Sequence, residues 1–256
     1  MKILLTGFKG FIGSHLLKAL RKNNDVIVFE WGQKLPSLKG LDWVIHTGAI
    51  SSTTERDVNR IFNQNYDFSV ELYEQCRFNN VKFQFSSSAS VYGLNTEFKE
   101  DSPVDPRTPY AWSKYLFERY MEKHPLSVWQ GFRYFNVYGP EGEENKGDQA
   151  SPFFKFKTQS ETFNCVKVFS DSGKYLRDFV HVSKVVDAHI KFLDCDLSGL
   201  YNLGSGRATS FLEVAKIYSN NIIEIPMPLI LKGNYQEYTC ANMEKTNKIL
   251  EIYDKY

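Results

Sequence analysis

The amino-terminal stretch constrains the fold of this chain more than any other part of it. A short apolar run over Lys2–Thr6 is followed at once by glycines at positions 7, 10 and 13. Residues 11–22 then show helical periodicity. A strand that turns through a glycine-rich loop straight into a helix is typical of the opening unit of a doubly wound α/β sheet.

The rest of the first half repeats this alternation of strand and helix. Further strands are predicted at residues 25–30, 42–47, 81–86 and 127–136, and further helices at 57–79 and 108–123. This order predicts an α/β, Rossmann-like, doubly wound parallel sheet whose ligand crevice lies beyond the carboxyl ends of the strands. Between residues 30 and 42 there are only about a dozen residues, too few for a further strand with a crossover of ~10–12 residues. We therefore predict a shortened sheet that lacks the usual third strand and its helix.

The glycine loop suits a phosphate ligand. Glycines allow a tight turn and a close approach of backbone to pyrophosphate, and the helix amino terminus offers free N–H groups and a positive dipole end. A glycine-rich turn that binds nothing is the alternative. Glu30 ends the second strand, where an acid can bind ribose hydroxyls and favour NAD over NADP; a solvated acid at a strand end explains it equally well.

Tyr110 and Lys114 are four residues apart in the predicted helix at 108–123. That spacing puts both side chains on one face, one turn apart. A lysine ammonium beside a phenol favours the phenolate, so a tyrosine that ordinarily titrates near ~10 is predicted to exchange protons closer to neutrality. This chemistry can deprotonate a sugar hydroxyl while hydride leaves its carbon. Two residues that meet on a solvated helix face are the plainer interpretation.

Composition excludes several other classes of function. The chain carries 31 Lys+Arg against 30 Asp+Glu, which gives no electrostatic reason to expect nucleic acid or an anionic membrane as partner. The four cysteines are far apart and form no metal-like pair, as in a protein with reduced thiols. No apolar run approaches the ~20 residues of a membrane span, and the first strand leaves no room for a signal peptide. We expect a cytoplasmic protein without a metal site.

Several motifs together resemble a known family. The run at residues 85–93, FSSSASVYG, the Tyr110/Lys114 pair and the opening glycines resemble the extended short-chain dehydrogenase/reductase superfamily of sugar-nucleotide epimerases and dehydratases. Other stretches are similar to one branch of it, the ADP-glycero-manno-heptose 6-epimerases; they lie at residues 46–55, 131–140, 177–180, 201–208 and 231–236. The resemblance covers nearly the whole chain.

The resemblance implies a closed redox cycle with tightly bound NAD or NADP. Hydride leaves C6 of the heptose, the transient carbonyl compound reorients, and hydride returns to the other face. Tyr110 and Lys146 would be the two acid/base groups, one for each orientation; an ordinary loop lysine is the alternative for Lys146. Ser88 would hydrogen-bond the reacting oxygen, or merely cap a strand end. Lys114 would hold the nicotinamide ribose.

The resemblance also implies contact residues. Those for the cofactor are Gly7, Gly10, Phe11, Ile12, Gly13, Glu30, Thr47, Gly48, Ala49, Ser51, Gln64, Lys114 and Val137. Those for the nucleotide sugar are Ser88, Asn136, Asp148, Lys155, Phe169, Ser172, Arg177 and Tyr235. Arginine suits bidentate binding of phosphate, although Arg177 can instead pair with Asp178. His46, at the end of a strand, is predicted to pack beneath the cofactor rather than to act in catalysis.

Past about residue 140 the strand–helix pattern loosens. We predict an NAD(P)-binding domain over residues 1–140, with a strand and helix from about 174–205, and a smaller sugar-nucleotide lobe over 141–256. A homo-oligomer is expected. Near the substrate, Asp148 and Lys155 depart from the family pattern, which leaves open an epimerase or dehydratase of another nucleotide sugar, such as a GDP-heptose or UDP-hexose. Residues 88–93 contain no acid of the kind a dehydratase needs. A non-catalytic nucleotide-binding protein is a further alternative, but such proteins usually lose the Tyr/Lys pair.

Overall fold

The computed structural model describes residues 1–52, 54–228 and 236–253. In chain order its elements are β1 (Lys2–Thr6), α1 (Phe11–Leu20), β2 (Asp25–Phe29), β3 (Trp43–His46), α2 (Val58–Phe62), α3 (Phe68–Asn79), β4 (Lys82–Ser88), α4 (Pro109–Lys123), β5 (Trp129–Tyr134), β6 (Asn136–Tyr138), α5 (Pro152–Phe163), β7 (Val166–Phe169), β8 (Leu176–His181), α6 (Val182–Phe192), β9 (Gly199–Leu203), β10 (Ala208–Ser210), α7 (Phe211–Tyr218), β11 (Ile222–Ile225) and α8 (Glu244–Tyr253).

The main sheet has six strands in the order β2-β1-β3-β4-β5-β9, all parallel. This is the predicted α/β, Rossmann-like arrangement. Strand β2 pairs only with β1 in the part of the chain that the structure describes, and the stretch from residue 30 to 42 joins β2 to β3 without a helix or strand. The predicted loss of the third strand and its helix is therefore confirmed.

Both faces of the main sheet are covered by helices. Strands β3 and β5 are buried along their whole length, as parallel strands between two helical layers must be. One core joins α3 and α4 to the sheet, with Leu72, Tyr73 and Phe117 fully buried. The opposite core packs α1 and α6 on it. The carboxyl ends of β1, β3 and β4 are thereby fixed side by side, which positions the loops that follow them.

The predicted helix over 57–79 is divided in the structure. Asp57 caps α2 by accepting a hydrogen bond from the Arg60 amide, 3.0 Å long, and α3 ends at Asn80 with a left-handed φ of 53°. Between the two lies a π-helical turn over Asn63–Asp67. Such a turn is a single wider loop of backbone inside a helix and often occurs near functional sites. Hydrophobic periodicity alone does not reveal it.

Two smaller sheets follow the main one. Strands β10, β8 and β6 form one, and β11 pairs with β7 in the other, beside α5 and α7. Residues 174–205 supply β8, α6 and β9, and of these strands only β9 joins the main sheet, at its edge. The assignment of cofactor binding to residues 1–140 and of sugar-nucleotide binding to residues 141–256 stays a prediction. No helix among the described residues is long and apolar enough to cross a membrane.

Candidate active site

The glycine loop is packed so closely that side chains do not fit in it. Gly7 has a left-handed φ of 69°, and a Cβ there would lie 2.5 Å from the Gly48 Cα. A Cβ on Gly13 would lie 2.0 Å from the Gly7 carbonyl oxygen. The loop after β1, the first turn of α1 and the loop after β3 are therefore in direct backbone contact. This leaves the amino-terminal N–H groups of α1 facing a cleft, the arrangement that binds pyrophosphate.

Glu30 contacts this loop rather than the cleft. Its Oε1 accepts a hydrogen bond of 2.7 Å from the Lys9 amide. Glu30 and Gln64 are both absent from the described residues that line the cleft. Glu30 thus holds the glycine loop in place through one carboxylate oxygen, and its predicted contact with ribose stays a prediction.

A large cleft opens at the carboxyl ends of the strands, with a volume of about 1280 Å³. It brings together most of the residues predicted from the sequence: Gly7, Gly10, Phe11, Ile12, Gly13, Thr47, Ala49, Ser51, Ser88, Tyr110, Lys114, Asn136, Val137, Lys146, Asp148, Lys155, Phe169, Ser172 and Arg177. Gly48 lies directly behind Gly7. Tyr235 lies outside the described residues.

Tyr110 and Lys114 are both buried on α4, and the Lys114 Nζ lies 5.9 Å from the centre of the Tyr110 ring. Burial lowers the pKa of Lys114 to about 7, and the nearby Glu118 carboxylate opposes this shift. Burial also raises the pKa of Tyr110, although a hydrogen bond with Ser88 lowers it. The predicted lowering of the phenol pKa is wrong for this state of the protein, because desolvation outweighs the hydrogen bond.

A buried ion pair between Glu118 and Arg133 lies next to Tyr110 and Lys114, and the sequence interpretation missed it. Glu118 is fully buried and accepts hydrogen bonds from the Arg133 Nε at 3.0 Å and Nη2 at 2.7 Å. The Ser87 hydroxyl donates to the same carboxylate at 2.5 Å. Glu118 follows Lys114 by one helical turn, and this spacing is the signal that was available. The ion pair ties α4 to β4 and β5 directly beneath the cleft.

Lys146 reaches the cleft from a 3₁₀ turn over Glu143–Gln149. Its Nζ lies 3.0 Å from a carboxylate oxygen of Glu143, 3.2 Å from the Val137 carbonyl oxygen, and 4.5 Å from the centre of the Phe11 ring. Glu143 is fully buried. The sequence interpretation also missed this partner, although it precedes Lys146 by three residues.

Further along the cleft, Arg177 donates to the carbonyl oxygens of Leu176, at 2.9 Å, and of Gln236. The alternative partner of Arg177, the Asp178 carboxylate, accepts instead from the amides of Ser205, Gly206 and Ala241 at 2.6 to 2.9 Å. These bonds fix the loop after β9 against β8.

Lys155, which also lines the cleft, donates to the Asp148 carbonyl oxygen at 2.7 Å. The two departures from the family pattern are therefore in contact with each other at the same end of the cleft.

Residues 3–204 match the NAD dependent epimerase/dehydratase family. The match extends over more than half of the chain and includes the glycine loop, the Tyr110/Lys114 pair and Lys146. The chain belongs to this family. Its cofactor is therefore NAD.

Solved structures of epimerases share the whole architecture. The ADP-L-glycero-D-manno-heptose-6-epimerase of Helicobacter pylori is 28% identical, with a TM-score of 0.85 over 98% of this chain and 90% of that one. The UDP-glucose 4-epimerase of Thermotoga maritima is 27% identical, with a TM-score of 0.84 over 97% and 92%. The UDP-glucose 4-epimerase of Thermus thermophilus, solved with NAD, is 26% identical, with a TM-score of 0.78 over 97% and 92%.

The residues present fit the cofactor of this NAD-dependent family. A Cβ at Gly7 or Gly13 would strike neighbouring backbone, so the close approach that a pyrophosphate needs is kept open. The loop after β3 is fixed by Asn65 in the π-helical turn, whose side chain accepts from the Ile50 amide at 2.8 Å and donates to the Ile50 carbonyl at 2.9 Å. Asn65 is fully buried. The sequence interpretation assigned Gln64 in this turn, whereas the structure shows that its neighbour supports the cleft wall.

His46 packs at the end of β3 against the end of β1 and against α3, and its predicted place beneath the cofactor stays a prediction. Its Nδ1 lies 2.6 Å from the Thr6 hydroxyl and its Nε2 lies 2.8 Å from the Ser69 hydroxyl. Burial, together with the positive charge of Lys114, lowers the pKa of His46 to about 3. The ring is therefore neutral and positions the end of β1. No cluster of three or more metal-ligating side chains occurs among the described residues.

A chain of buried side chains also runs from the cleft into the core. The Gln130 Nε2 donates to the carbonyl oxygens of Phe192, at 3.1 Å, and Cys195, at 2.8 Å. Its Oε1 must then accept, and it does so from the Gln84 Nε2 at 3.0 Å. The Gln84 Oε1 in turn accepts from His189 Nδ1 at 2.7 Å. Because the carbonyl oxygens of Phe192 and Cys195 can only accept, they fix the amide orientation of Gln130 and, through it, that of Gln84. The Gln84 oxygen then needs a donor, so the proton of His189 lies on Nδ1.

This tautomer of His189 also fixes the hydrogen-bond directions of Tyr134 and Ser86, at the cleft end of the series. His189 Nε2 has no proton, so the Tyr134 hydroxyl donates to it at 2.5 Å. The Tyr134 oxygen then accepts from the Ser86 hydroxyl at 2.7 Å. Tyr134 and Ser86 both line the cleft. Burial lowers the pKa of His189 to about 3, so every member of the chain is neutral and every proton points from the cleft towards the core.

Proposed function

We propose that this protein is an NAD-dependent sugar-nucleotide epimerase that inverts C6 of ADP-glycero-manno-heptose by transient oxidation and re-reduction. The observation that carries the proposal is that two proton-transfer groups on separate elements, Tyr110 of α4 and Lys146 of the 3₁₀ turn, line one cleft. An epimerase that works by oxidation and re-reduction needs a proton acceptor for one orientation of the sugar and a proton donor for the other. Bound NAD supplies the hydride acceptor and donor.

Each cleft residue has a distinct part in this reaction. Tyr110 takes the proton of the sugar hydroxyl in its phenolate form, which burial disfavours and which the positive charge of bound oxidised NAD would favour. Ser88, which hydrogen-bonds the phenol, stabilises charge on the reacting oxygen. Lys114 holds the nicotinamide ribose, for which its position beside Tyr110 is suited. After the intermediate has reoriented, Lys146 exchanges a proton with the same oxygen.

Charge in the cleft supports a nucleotide diphosphate as the recognition element. Lys155, Lys167 and Arg177 all line it, and cations of this kind bind phosphate oxygens. We propose that residues 1–140 bind NAD and that the lobe over 141–256 binds the sugar nucleotide. The cytoplasmic location and the homo-oligomer stay predictions.

The heptose specificity is supported by the likeness to the 6-epimerase of H. pylori and by the runs at residues 46–55 and 131–140. A UDP-hexose 4-epimerase is the second candidate, because the identity to the T. maritima enzyme is 27% against 28%. Asp148 and Lys155 line the cleft, so the two departures from the heptose pattern lie where substrate is selected.

The test is proton NMR of ADP-D-glycero-D-manno-heptose incubated with the purified protein, without addition and with NAD or NADP. We expect the L-glycero epimer to form, already without addition if NAD co-purifies. UDP-glucose is assayed in parallel for the C4 epimer. Conversion of UDP-glucose alone would transfer the proposal to the second candidate, and no conversion of either by folded, NAD-loaded protein would contradict it.

A further inference from the structure

Glu143 is a fully buried acid directly behind the cleft. Its Oε2 accepts from the Ser151 amide at 2.9 Å and lies 3.0 Å from the Lys146 Nζ, and its Oε1 accepts from the Gly139 amide at 3.3 Å. A carboxylate removed from water is strongly unfavourable unless charge and hydrogen bonds compensate it. Here two backbone amides fix its position and the Lys146 ammonium balances its charge.

Lys146 is held on the cleft side of that acid. A lysine ammonium has three N–H donors, and two acceptors among the described residues, Glu143 and the Val137 carbonyl, take two of them. The third is left for the cleft, which Lys146 lines with 21% of its side chain exposed. The ring of Phe11, at 4.5 Å, presents its face to the cation and carries no charge.

The charges that face Lys146 act in opposite directions. Burial lowers the pKa of Lys146, and the Lys155 ammonium on α5 lowers it further, whereas Glu143 raises it. The contacts from α1 and β6 are the uncharged Phe11 ring and a backbone carbonyl. Glu143 is therefore the group that opposes the loss of the proton from this lysine.

We propose that Glu143 is a positioning residue that keeps Lys146 in its ammonium form and so makes Lys146 the proton donor of the return step. The inference rests on the proposed function. As hydride reaches the carbonyl carbon, the carbonyl oxygen takes a proton from the ammonium, one N–H bond breaks, and a neutral amine remains beside the Glu143 carboxylate. In the reverse direction that amine takes the proton of the sugar hydroxyl.

The test is the pH profile of turnover of Glu143→Gln, which keeps the shape of the side chain and removes its charge. We expect turnover near neutral pH to fall about tenfold or more. The alkaline limb should move to lower pH by about one unit or more, because Lys146 then loses its proton more easily. Glu144→Gln is the matched control: Glu144 is exposed and accepts only from the Gly142 amide among the described residues, so its profile should match the parent protein.

A second measurement does not depend on activity. In protein labelled with 13C at the lysine Cε, the Lys146 signal, assigned by its loss in Lys146→Met, should titrate at lower pH in Glu143→Gln than in the parent protein. If Lys146 titrates unchanged in Glu143→Gln, or if this variant loses the same fraction of turnover at every pH, the role of Glu143 is overturned and the proposed function is unaffected. Full turnover by Lys146→Met would instead remove Lys146 from the chemistry and contradict the proposed function itself.

Discussion

At the scale of single residues, the site is dominated by the burial of groups that usually face water. Lys114 is only 2% exposed, and its neighbour Tyr110 is buried on the same face of α4. The spacing of the two residues predicted that they would be together. It did not predict the depth, which depends on how α4 packs on β4, nor therefore the directions of their pKa shifts.

Tyr110→Phe is expected to lower turnover by about 10²- to 10⁴-fold, because a general acid/base typically contributes that much. NAD should still bind, since the ring and its packing remain. The measurement is the rate of epimer formation by NMR together with NAD binding by calorimetry. Tyr115→Phe on the same helix is the control, and substantial epimerase activity in Tyr110→Phe combined with Lys146→Met would rule out the assignment of the two groups.

Lys114 should make the protein more stable as the pH rises. Its pKa is about 7 in the folded protein and 10.5 as the ordinary value, so between these values the unfolded chain binds more protons. The free energy of unfolding should then increase by up to about 1.4 kcal/mol per pH unit. Urea denaturation near pH 7 and pH 9 measures it, and the rise should be smaller by that amount in Lys114→Met. Equal slopes in the two proteins would show that burial does not lower the pKa of Lys114.

At the scale of elements, the sequence predicted β1, the glycine loop, α1 and α4 because each has a strong local signal. Thr108 and Pro109 fix the start of α4, for example, by a cap and a preset φ. The π-helical turn between α2 and α3 and the 3₁₀ turn that carries Lys146 have no such signal. Asn65 bonds the backbone of Ile50, and Glu143 accepts from the amides of Gly139 and Ser151. These bonds from a side chain to irregular backbone follow no sequence pattern, which explains why the two supporting residues were missed.

Gly13→Ala tests the packing of the opening elements. A Cβ would lie 2.0 Å from the Gly7 carbonyl oxygen, so the loop must shift, and we expect a loss of about 1–3 kcal/mol in the free energy of unfolding with weaker NAD binding. Gly173→Ala is the control, since its Cβ would be 3.6 Å from the Leu212 side chain. Unaltered stability and NAD binding in Gly13→Ala would contradict the close contact.

At the scale of the whole molecule, composition and the strand–helix order were enough to predict the α/β fold and its shortened edge. The absence of the third strand and its helix could be predicted because the dozen residues between 30 and 42 are too few to form them. The contacts between distant parts of the chain could not be predicted: Ser86 and Gln84 lie on β4, Gln130 and Tyr134 on β5, and His189 on α6, and nothing in their local sequence indicates that they meet.

Two neutral, buried histidines make the whole protein sensitive to acid. The pKa values of His46 and His189 are lowered from 6.5 to about 3, so their contribution is complete above 6.5 and is lost as the pH falls towards 3, where only the unfolded chain takes up their protons. As the pH falls through this range, each histidine should lower the free energy of unfolding by up to about 1.4 kcal/mol per pH unit. Urea denaturation near pH 7 and pH 5 measures the loss, with His124→Gln as a control that retains it. Constant stability over this range would contradict the buried, neutral state.

The one-way order of protons from Ser86 to Gln130 has a consequence for how this sequence can evolve. Each member fixes the donor or acceptor role of the next, so a change at one position leaves its neighbour with a buried group that has the wrong polarity. Replacements along the chain should therefore be strongly non-additive, and a descendant protein is expected to inherit the five side chains as a set or to exchange them together for apolar ones.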